Sequence, residues 1–342
     1  MGARRPWLLP LVPLYAAGVA WKSRGFARHP EQAQRLADPV ISIGSVSAGG
    51  AGKTPFVIAI AEALRRQGHG VDVLSRGYGR ATSTGASRVV ATGTALEFGD
   101  EPLLMARTLG APVYVARQRL EAGRLAERDR RVRRDDRHLS VHLLDDGFQH
   151  RQLARAVDIV LFTAADAADL LLPAGNLREP LHALRRADIL ALRGEESDLL
   201  QPVLRRIFAG RVLPRQWILN RSSAVVEGVI VAQPLAFCGI ARPDGFRQSL
   251  QSLGIKPVGF VALRDHQRYD TAVVKTLVQQ AAAARANGFV TTAKDAVKLS
   301  DNLRRELAQV GPLAICDVRV QLHDEARCVA DLLALIEAGW KR

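Results

Sequence analysis

Residues 47–54 read S-A-G-G-A-G-K-T and follow the apolar run Pro39-Val40-Ile41-Ser42-Ile43, with a helix-forming apolar stretch at 55–64. Strand, glycine-rich loop and helix in this order predict a phosphate-binding loop. Glycines let successive backbone N–H groups turn toward one anion, and the N-terminus of the helix adds its positive end. Lys53 is expected against the β- and γ-phosphates of a nucleotide, and the Thr54 hydroxyl is expected on Mg²⁺. The predicted nucleotide-binding residues are Ser47, Ala48, Gly49, Gly50, Ala51, Gly52, Lys53 and Thr54, where Ser47 departs from the glycine that usually opens such a loop.

Apolar β-rich runs alternate with helical stretches after this loop, at residues 71–75, 111–116, 140–144, 157–162 and 187–192. This succession predicts an α/β fold with a parallel sheet, and ligands at the carboxyl ends of its strands. The pattern weakens at 214–233, which indicates a connecting ribbon. A second, smaller α/β unit follows, with strands at 235–239, 257–263, 288–292 and 313–317 and a closing helix at 322–340. The predicted units are 1–30, 31–218, 219–233 and 234–342.

The chain has 342 residues, 48% of them hydrophobic, and a net charge of +14. So basic a chain is expected to meet an anionic ligand or surface. No basic tract is interleaved with aromatic residues, which argues against nucleic acid as a partner and favours a phosphorylated substrate or an acidic membrane surface. The three cysteines, Cys238, Cys316 and Cys328, lack C-x-x-C spacing and argue against a disulfide framework or a zinc site. Residues 117–137 carry nine arginines and five acids, a mixture that is typical of a solvated helix face.

The N-terminal segment, residues 1–30, contains an uncharged run of fifteen residues from Trp7 to Trp21, with basic residues on both sides. A secretory signal has this appearance, but a secreted protein would meet no ATP. A spanning helix needs about 20 apolar residues, and this run is shorter. Two interpretations remain. We expect a helix lying in the cytoplasmic face of a membrane, with aromatic side chains at the headgroup level; the alternative is a buried terminal helix.

Two acidic pairs and one histidine are candidates for chemistry. Asp145 and Asp146 follow a strand, where an acid in a phosphate-loop protein usually holds Mg²⁺; capping of the next segment is the alternative. Asp100 and Glu101 stand just before Pro102, and two roles remain equally open for them: capping the helix that begins there, or taking part in the chemistry of the site. His266 is a lone histidine, and such residues are more often structural than catalytic.

Together these segments resemble the tetraacyldisaccharide 4′-kinase family, the lipid A 4′-kinases of Gram-negative bacteria. The resemblance runs from the N-terminal apolar helix to about residue 320 and is carried by eight blocks in one order. They are residues 47–55 (S-A-G-G-A-G-K-T-P), 74–79 (L-S-R-G-Y-G), 99–102 (G-D-E-P), 144–150 (L-D-D-G-F-Q-H), 173–180 (P-A-G-N-L-R-E-P), 237–243 (F-C-G-I-A-R-P), 265–269 (D-H-Q-R-Y) and 290–299 (V-T-T-A-K-D-A-V-K-L). The family tolerates a small hydroxyl residue at Ser47; Ala293 is a mild departure where the family often has an acid.

The resemblance implies transfer of the ATP γ-phosphate to the 4′-hydroxyl of tetraacyldisaccharide 1-phosphate, giving lipid IVA. ATP is then the co-substrate, Mg²⁺ the cofactor, and the lipid A disaccharide precursor and the anionic inner-membrane surface the partners. The implied location is the cytoplasmic face of the bacterial inner membrane. The implied roles are an acid–base dyad of Asp100 and His266, metal binding by Asp146 with Asp145 and Glu101 as helpers, and substrate binding or charge stabilisation by Arg76, Arg119, Gln149, His150, Asn176, Arg178 and Glu179.

Two other functions fit parts of the sequence. A phosphate-loop GTPase or metallochaperone would need the guanine-reading N-K-x-D pattern or Cys/His clusters, and residues 292–295 (T-A-K-D) only imitate the former. A non-enzymatic basic module that binds acidic lipid would leave the phosphate loop unused.

Overall fold

The computed structural model describes residues 5–50, 52–81, 85–133 and 139–340, so Ala51 of the predicted loop lies outside the described part. The strands in this part form one sheet. Their bounds are Val40–Ser45 (β1), Gly70–Ser75 (β2), Ser87–Arg88 (β3), Val113–Val115 (β4), Ser140–Asp145 (β5), Val157–Phe162 (β6), Ile189–Arg193 (β7), Arg215–Glu227 (β8), Pro234–Cys238 (β9), Gly259–Ala262 (β10), Gly288–Thr292 (β11) and Leu313–Leu322 (β12).

Helices cover both faces of the sheet and connect most of its strands. Their bounds are Val12–Arg28 (α1), Lys53–Arg66 (α2), Ala95–Phe98 (α3), Asp100–Thr108 (α4), Arg119–Arg133 (α5), Ala164–Ala167 (α6), Ser197–Ile207 (α7), Pro243–Ser252 (α8), Thr271–Ala283 (α9), Ala293–Ala296 (α10), Asp301–Leu307 (α11) and Glu325–Trp340 (α12). Short 3₁₀ turns at Pro6–Leu11, Pro30–Gln32, Leu181–Arg186 and Gly194–Glu196 complete the chain.

The strand order in the sheet is β10-β9-β11-β12-β8-β7-β6-β1-β5-β2-β4-β3. Strands β1, β2 and β4 to β8 form one parallel set and β9 to β12 another, while the short edge strand β3 pairs antiparallel with β4. The two sets meet where β8 and β12 pair antiparallel. The first set pairs with the start of β8, and the second set lies, through β12, beside the end of β8. Because of this offset, the carboxyl ends of the two sets point toward each other rather than to opposite edges of the molecule.

The long β8 sets the distance between the two sets. Arg193, the last residue of β7, pairs with Leu219 of β8. On the other side, Cys316 of β12 pairs both with the end of β11 and with Val225 of β8. The interval from 219 to 225 spans about 20 Å at roughly 3.3 Å per residue. A cleft therefore opens between the facing carboxyl ends, where loops from both sets converge.

Burial explains why these runs form central strands. All residues of β1, β5 and β6 are buried, as expected for parallel strands covered on both faces. One face packs under α2, α4 and α12, and the other under α7 and its neighbours. A separate cluster fills the second parallel set between β9, β11, α9 and α11.

Most predicted strands are confirmed within a few residues, but three features differ from the prediction. β12 continues to Leu322 as a ribbon with β8, so the closing helix begins at Glu325 rather than at 322. That helix packs into the core beside α2 and β6. The arginine-rich helix is not wholly solvated, because Arg130 is buried against Asp38 and Asp72. The division into units remains a prediction.

The N-terminal helix α1 has no buried residue. Trp7, Leu14 and Trp21 in this region expose 73%, 75% and 80% of their surface. The helix is held at the mouth of the cleft by polar contacts, with Tyr15 Oη donating to the Arg178 carbonyl at 3.0 Å and Arg151 donating to Ser23. Among the helices of the described residues, none is both long and apolar enough to cross a bilayer.

Candidate active site

The loop after β1 has the backbone of an anion cradle. Gly49, Gly50 and Gly52 adopt φ angles of +69°, +66° and +92°, which glycine reaches without the steric cost that side chains impose. Lys53 is the first residue of α2, so its side chain and the first N–H groups of the helix face the same space. A tetrahedral anion is the complement of this arrangement.

Ser47 is anchored by its side chain. It is fully buried, its Oγ donates to Asp166 Oδ1 at 2.6 Å, and the next residue, Ala48, donates its N–H to the Asn176 carbonyl at 2.8 Å. Asp166 is itself buried and accepts from the backbone and hydroxyl of Thr163. The serine at the first loop position therefore supplies a hydrogen bond that glycine could not.

Lys53 and the two acids after β5 lie together on the floor of the cleft. Lys53 Nζ is 3.3 Å from Asp146 Oδ1 and 3.2 Å from Ser45 Oγ, and Arg178 holds the other oxygen of Asp146 at 2.7 Å. Burial alone would raise the pKa of Asp146, but these two cations hold it below its ordinary value. Asp146 therefore remains charged beside the loop.

Asp145 has a different electrostatic setting. Its carboxylate is buried and accepts a hydrogen bond from Ser75 Oγ at 3.0 Å. Burial, followed by the negative charges of Glu101 and Asp146, raises its pKa to about 7. A nearby cation would relieve this crowding of negative charge.

The residues predicted to bind the metal fit Mg²⁺ in their chemistry. Mg²⁺ prefers oxygen ligands and usually takes only one or two carboxylates, with phosphates and water completing the shell. Asp146 Oδ1 is buried and faces Lys53 without a well-formed hydrogen bond, so it is available as a ligand. Within the described residues, Glu101 instead pairs with Lys294 at 2.8 Å, and the one three-ligand carboxylate–histidine group lies elsewhere, at Asp38, Glu127 and His142.

Asp100 and His266 are in contact although 166 residues separate them. His266 Nδ1 is 2.9 Å from Asp100 Oδ2 and 3.2 Å from Oδ1. Asp100 begins α4 after Gly99, and His266 sits in the loop after β10, so each comes from a different parallel set. The pair closes across the cleft, and the Tyr78 ring lies 5.1 Å from the His266 ring.

The contact changes the acidity of both partners. Burial alone would raise the pKa of Asp100, but the His266 hydrogen bond and the charges of Lys294 and Lys298 outweigh it and lower that pKa. The hydrogen bond to Asp100 raises the pKa of His266 above its ordinary value. The carboxylate therefore stays ionised and oriented, which suits a residue that accepts a proton from a hydroxyl group.

Several residues that the sequence did not single out complete this region. Lys294 Nζ and Lys298 Nζ each lie 3.9 Å from Asp100 Oδ2, and Lys298 also pairs with the buried Asp295 at 2.8 Å. Arg242 lies against the phosphate loop. All belong to blocks 237–243 and 290–299, directly after strands; that position at a carboxyl end was the available signal.

The predicted substrate-side residues divide into two groups. Arg76, Arg119, His150 and Arg178 line the cleft. Arg119 is buried and forms no ion pair within the described residues, and burial together with the charge of Arg76 lowers its pKa. Burial and the surrounding cations also lower the pKa of His150 to about 4, so it is neutral at pH 7.

The second group supports the loop, and two of its members, Gln149 and Asn176, also line the cleft. Gln149 Nε2 donates to the Ser45 carbonyl at 2.9 Å and to Glu179 Oε1 at 3.1 Å. Glu179 is buried in a two-bond pair with Arg186 and does not line the cleft, and the Asn176 side chain donates to Asp169 at 2.8 Å. These side chains brace the segment that flanks the start of the phosphate loop.

Residues 292–295, which imitate a guanine-reading pattern, hold local structure through Asp295. Thr292 and the N–H of Gly239 both donate to Asp295 Oδ2, and Asp295 is fully buried. A carboxylate engaged in this way cannot read a base. The cleft above it has a volume of about 1120 Å³, which is ample for a nucleotide and a sugar headgroup together.

A glycine-rich loop with its lysine, in one cleft with a carboxylate–histidine pair, is typical of an ATP-dependent kinase as the class of protein. The family model of tetraacyldisaccharide-1-P 4′-kinases matches residues 4–337. The chain belongs to the tetraacyldisaccharide 4′-kinase family, as the resemblance predicts.

Individual relatives agree with this assignment. A tetraacyldisaccharide 4′-kinase of Koribacter versatilis is 39% identical over 339 residues, which cover 96% of this chain and 98% of the relative. One from Neisseria meningitidis serogroup A is 37% identical over 316 residues, covering 90% and 86%. The crystal structure of LpxK from Aquifex aeolicus, described as an "apo" form in complex with ATP, is similar with a TM-score of 0.71 and 29% identity, covering 96% of this chain and 98% of that one.

Proposed function

We propose that this chain is a lipid kinase that transfers the γ-phosphoryl group of ATP to the 4′-hydroxyl of tetraacyldisaccharide 1-phosphate, giving lipid IVA. The single observation that carries the proposal is the position of the Asp100–His266 pair across one cleft from the Lys53 loop. A general base and a triphosphate cradle that face each other are the two parts that phosphoryl transfer to an alcohol requires.

Asp100 accepts the proton of the acceptor hydroxyl as that oxygen attacks phosphorus. His266 orients Asp100 and shares its charge through the 2.9 Å contact. Lys53 grips the β- and γ-phosphates, and the loop N–H groups bind the remaining phosphate oxygens. Asp146 and Thr54 would hold Mg²⁺, with Asp145 nearby, and the bound metal would supply charge neutralisation on the phosphates.

The cationic wall of the cleft supports binding of the acceptor. Within the described residues Arg76 and Arg119 form no ion pair, and Lys22 of α1 lines the same cleft. Neutral His150 lies among these cations and can donate or accept a hydrogen bond. We assign this wall to the phosphate that the disaccharide already carries, because guanidinium groups pair with phosphate through two parallel hydrogen bonds.

The N-terminal region is proposed to lie on the cytoplasmic face of the inner membrane. Trp7, Leu14 and Trp21 are largely exposed, and large apolar side chains at a protein surface mark an interaction site when they cluster. Because α1 is held at the cleft by Tyr15 and Ser23, a lipid at that surface would enter the site directly. Basic residues on this helix suit an anionic leaflet.

The decisive experiment incubates the purified full chain with γ-labelled ATP, Mg²⁺ and the disaccharide 1-phosphate in mixed micelles. We expect a lipid product heavier by one phosphoryl group, labelled on the distal sugar. The matched control is an acceptor without the 4′-hydroxyl, which should remain unlabelled. Labelling of that control, or hydrolysis of ATP with no lipid product, would overturn the proposal.

A further inference from the structure

Arg242 lies directly on the phosphate loop although it belongs to the other parallel set. It precedes Pro243, the first residue of α8, in the loop that follows β9. A Cβ atom added to Gly50 would be 2.6 Å from Arg242 Cγ and 2.7 Å from its Cδ and Nε. The side chain therefore covers the loop at one of the glycines that form the cradle.

The guanidinium of Arg242 has only a loose counter-charge. Its Nη2 lies 3.6 Å from Asp166 Oδ1, beyond hydrogen-bond length, and within the described residues its side chain forms no hydrogen bond. Asp166 is already engaged, because Ser47 Oγ occupies the same oxygen at 2.6 Å and Thr163 the other. An arginine has five N–H donors, so most of those on Arg242 remain available to a ligand.

The neighbourhood of Arg242 is cationic. Arg193 and Arg221 line the same cleft as Arg242, and Lys53 lies at the end of the loop. Burial, then the positive charge of Arg193 and also that of Arg242, lowers the pKa of Arg221. Cations gathered around a row of backbone N–H groups are complementary to a polyanion, and arginine binds phosphate oxygens through its planar fork.

We propose that Arg242 is a catalytic residue that contacts the β- and γ-phosphates of the bound nucleotide, reaching over the loop from the second parallel set. Ser47 and Asp166 hold the loop beneath Arg242, so the serine at the first loop position belongs to the same arrangement. The inference rests on the proposed function for the identity of the nucleotide. It adds a second positive charge beside the transferred group, carried by a different segment from the one that carries Lys53.

The test is calorimetric titration of the full chain with Mg·ATP, Mg·ADP and AMP. For Arg242→Met we expect ATP and ADP affinity to fall about 10- to 100-fold, the usual range for losing hydrogen bonds to a charged group. AMP affinity should change less than about twofold, since AMP lacks both phosphates. Arg242→Lys keeps the charge but not the fork and should lie between Met and wild type.

The matched control is Arg247→Met on α8, the helix that follows Arg242; the exposed guanidinium of Arg247 stacks 3.6 Å from the centroid of the Phe260 ring. It should bind all three nucleotides like wild type.

Two results for folded Arg242→Met would overturn the inference: equal weakening of AMP and ATP binding, or an unchanged ATP affinity. If that variant does not fold, Arg242→Gln is titrated instead. If the wild-type chain phosphorylates the lipid and Arg242→Met binds ATP normally, this inference is wrong and the proposed function is unaffected. If the variants show the expected changes in nucleotide affinity but the wild-type chain leaves the lipid unmodified, the proposed function is wrong and this inference is unaffected.

Discussion

Replacing Asp100 by Asn removes the proposed base while keeping its shape. The carboxylate is 6% exposed, accepts from His266 Nδ1 at 2.9 Å, and faces Lys294 and Lys298 at 3.9 Å. General-base catalysis contributes about 10²- to 10⁴-fold. We therefore expect kcat to fall by that factor, which corresponds to about 2.7–5.5 kcal/mol of transition-state stabilisation.

The structure also predicts that this variant folds. Removing one partner of a buried charge pair costs about 3–5 kcal/mol when the other charge is left alone. Here Lys294 keeps Glu101 at 2.8 Å and Lys298 keeps Asp295 at 2.8 Å. The loss in the free energy of unfolding should therefore be smaller, about 1–3 kcal/mol, the cost of weakened hydrogen bonds.

The assay measures kcat and KM for each substrate at saturating levels of the other, with urea unfolding of the same preparation. Glu97→Gln, an exposed acid three residues earlier, is the control and should retain wild-type kcat. If Asp100→Asn raised the KM of the acceptor and left kcat unchanged, Asp100 would be a binding residue and the argument for a base would fail.

Three further predictions concern the loop, the cationic wall and the N-terminal region. Lys53→Ala should abolish turnover, measured with labelled ATP on folded protein, because it removes the charge on the β- and γ-phosphates; a near-normal rate would refute the loop assignment. His150 should titrate near pH 4 by NMR rather than near 6.5. Because folding lowers the pKa of His150, the unfolded chain binds a proton at this residue between about pH 6.5 and 4 that the folded chain does not bind. The free energy of unfolding should therefore fall as the pH drops through that range, and His150→Gln should reduce this dependence on pH. The variant Trp7→Ser/Leu14→Ser/Trp21→Ser should lose binding to anionic vesicles in a sedimentation assay, since lipid burial of these side chains contributes roughly 3–7 kcal/mol. Its melting temperature should be unchanged; Val212→Ser, at a 92% exposed position, is the control, and a triple variant that still sediments would refute the anchoring proposal.

Local pattern was sufficient for the elements that surround the phosphate loop. The runs at 157–162 and 288–292 coincide with β6 and β11, because short apolar stretches bounded by turn residues have few other ways to be buried. The extension of β12 to Leu322 was missed, since a strand that pairs in a two-stranded ribbon depends on its partner β8 rather than on its own sequence. The burial of Arg130 was missed for the same reason, because Asp38 and Asp72 come from distant segments.

The amino-acid sequence alone determined the glycine-rich turn between β1 and α2 with Lys53 at its end, since glycine conformations, a lysine and a following helix are specified by adjacent residues. The family resemblance supplied the pairing of Asp100 with His266. Only the tertiary structure decided how distant groups meet: the reversal between β8 and β12 turns two sets of carboxyl ends toward one cleft. That reversal brings Lys294 to Glu101 across 193 residues and lays Arg242 on the loop. Such contacts depend on strand order and register, which no local sequence pattern encodes.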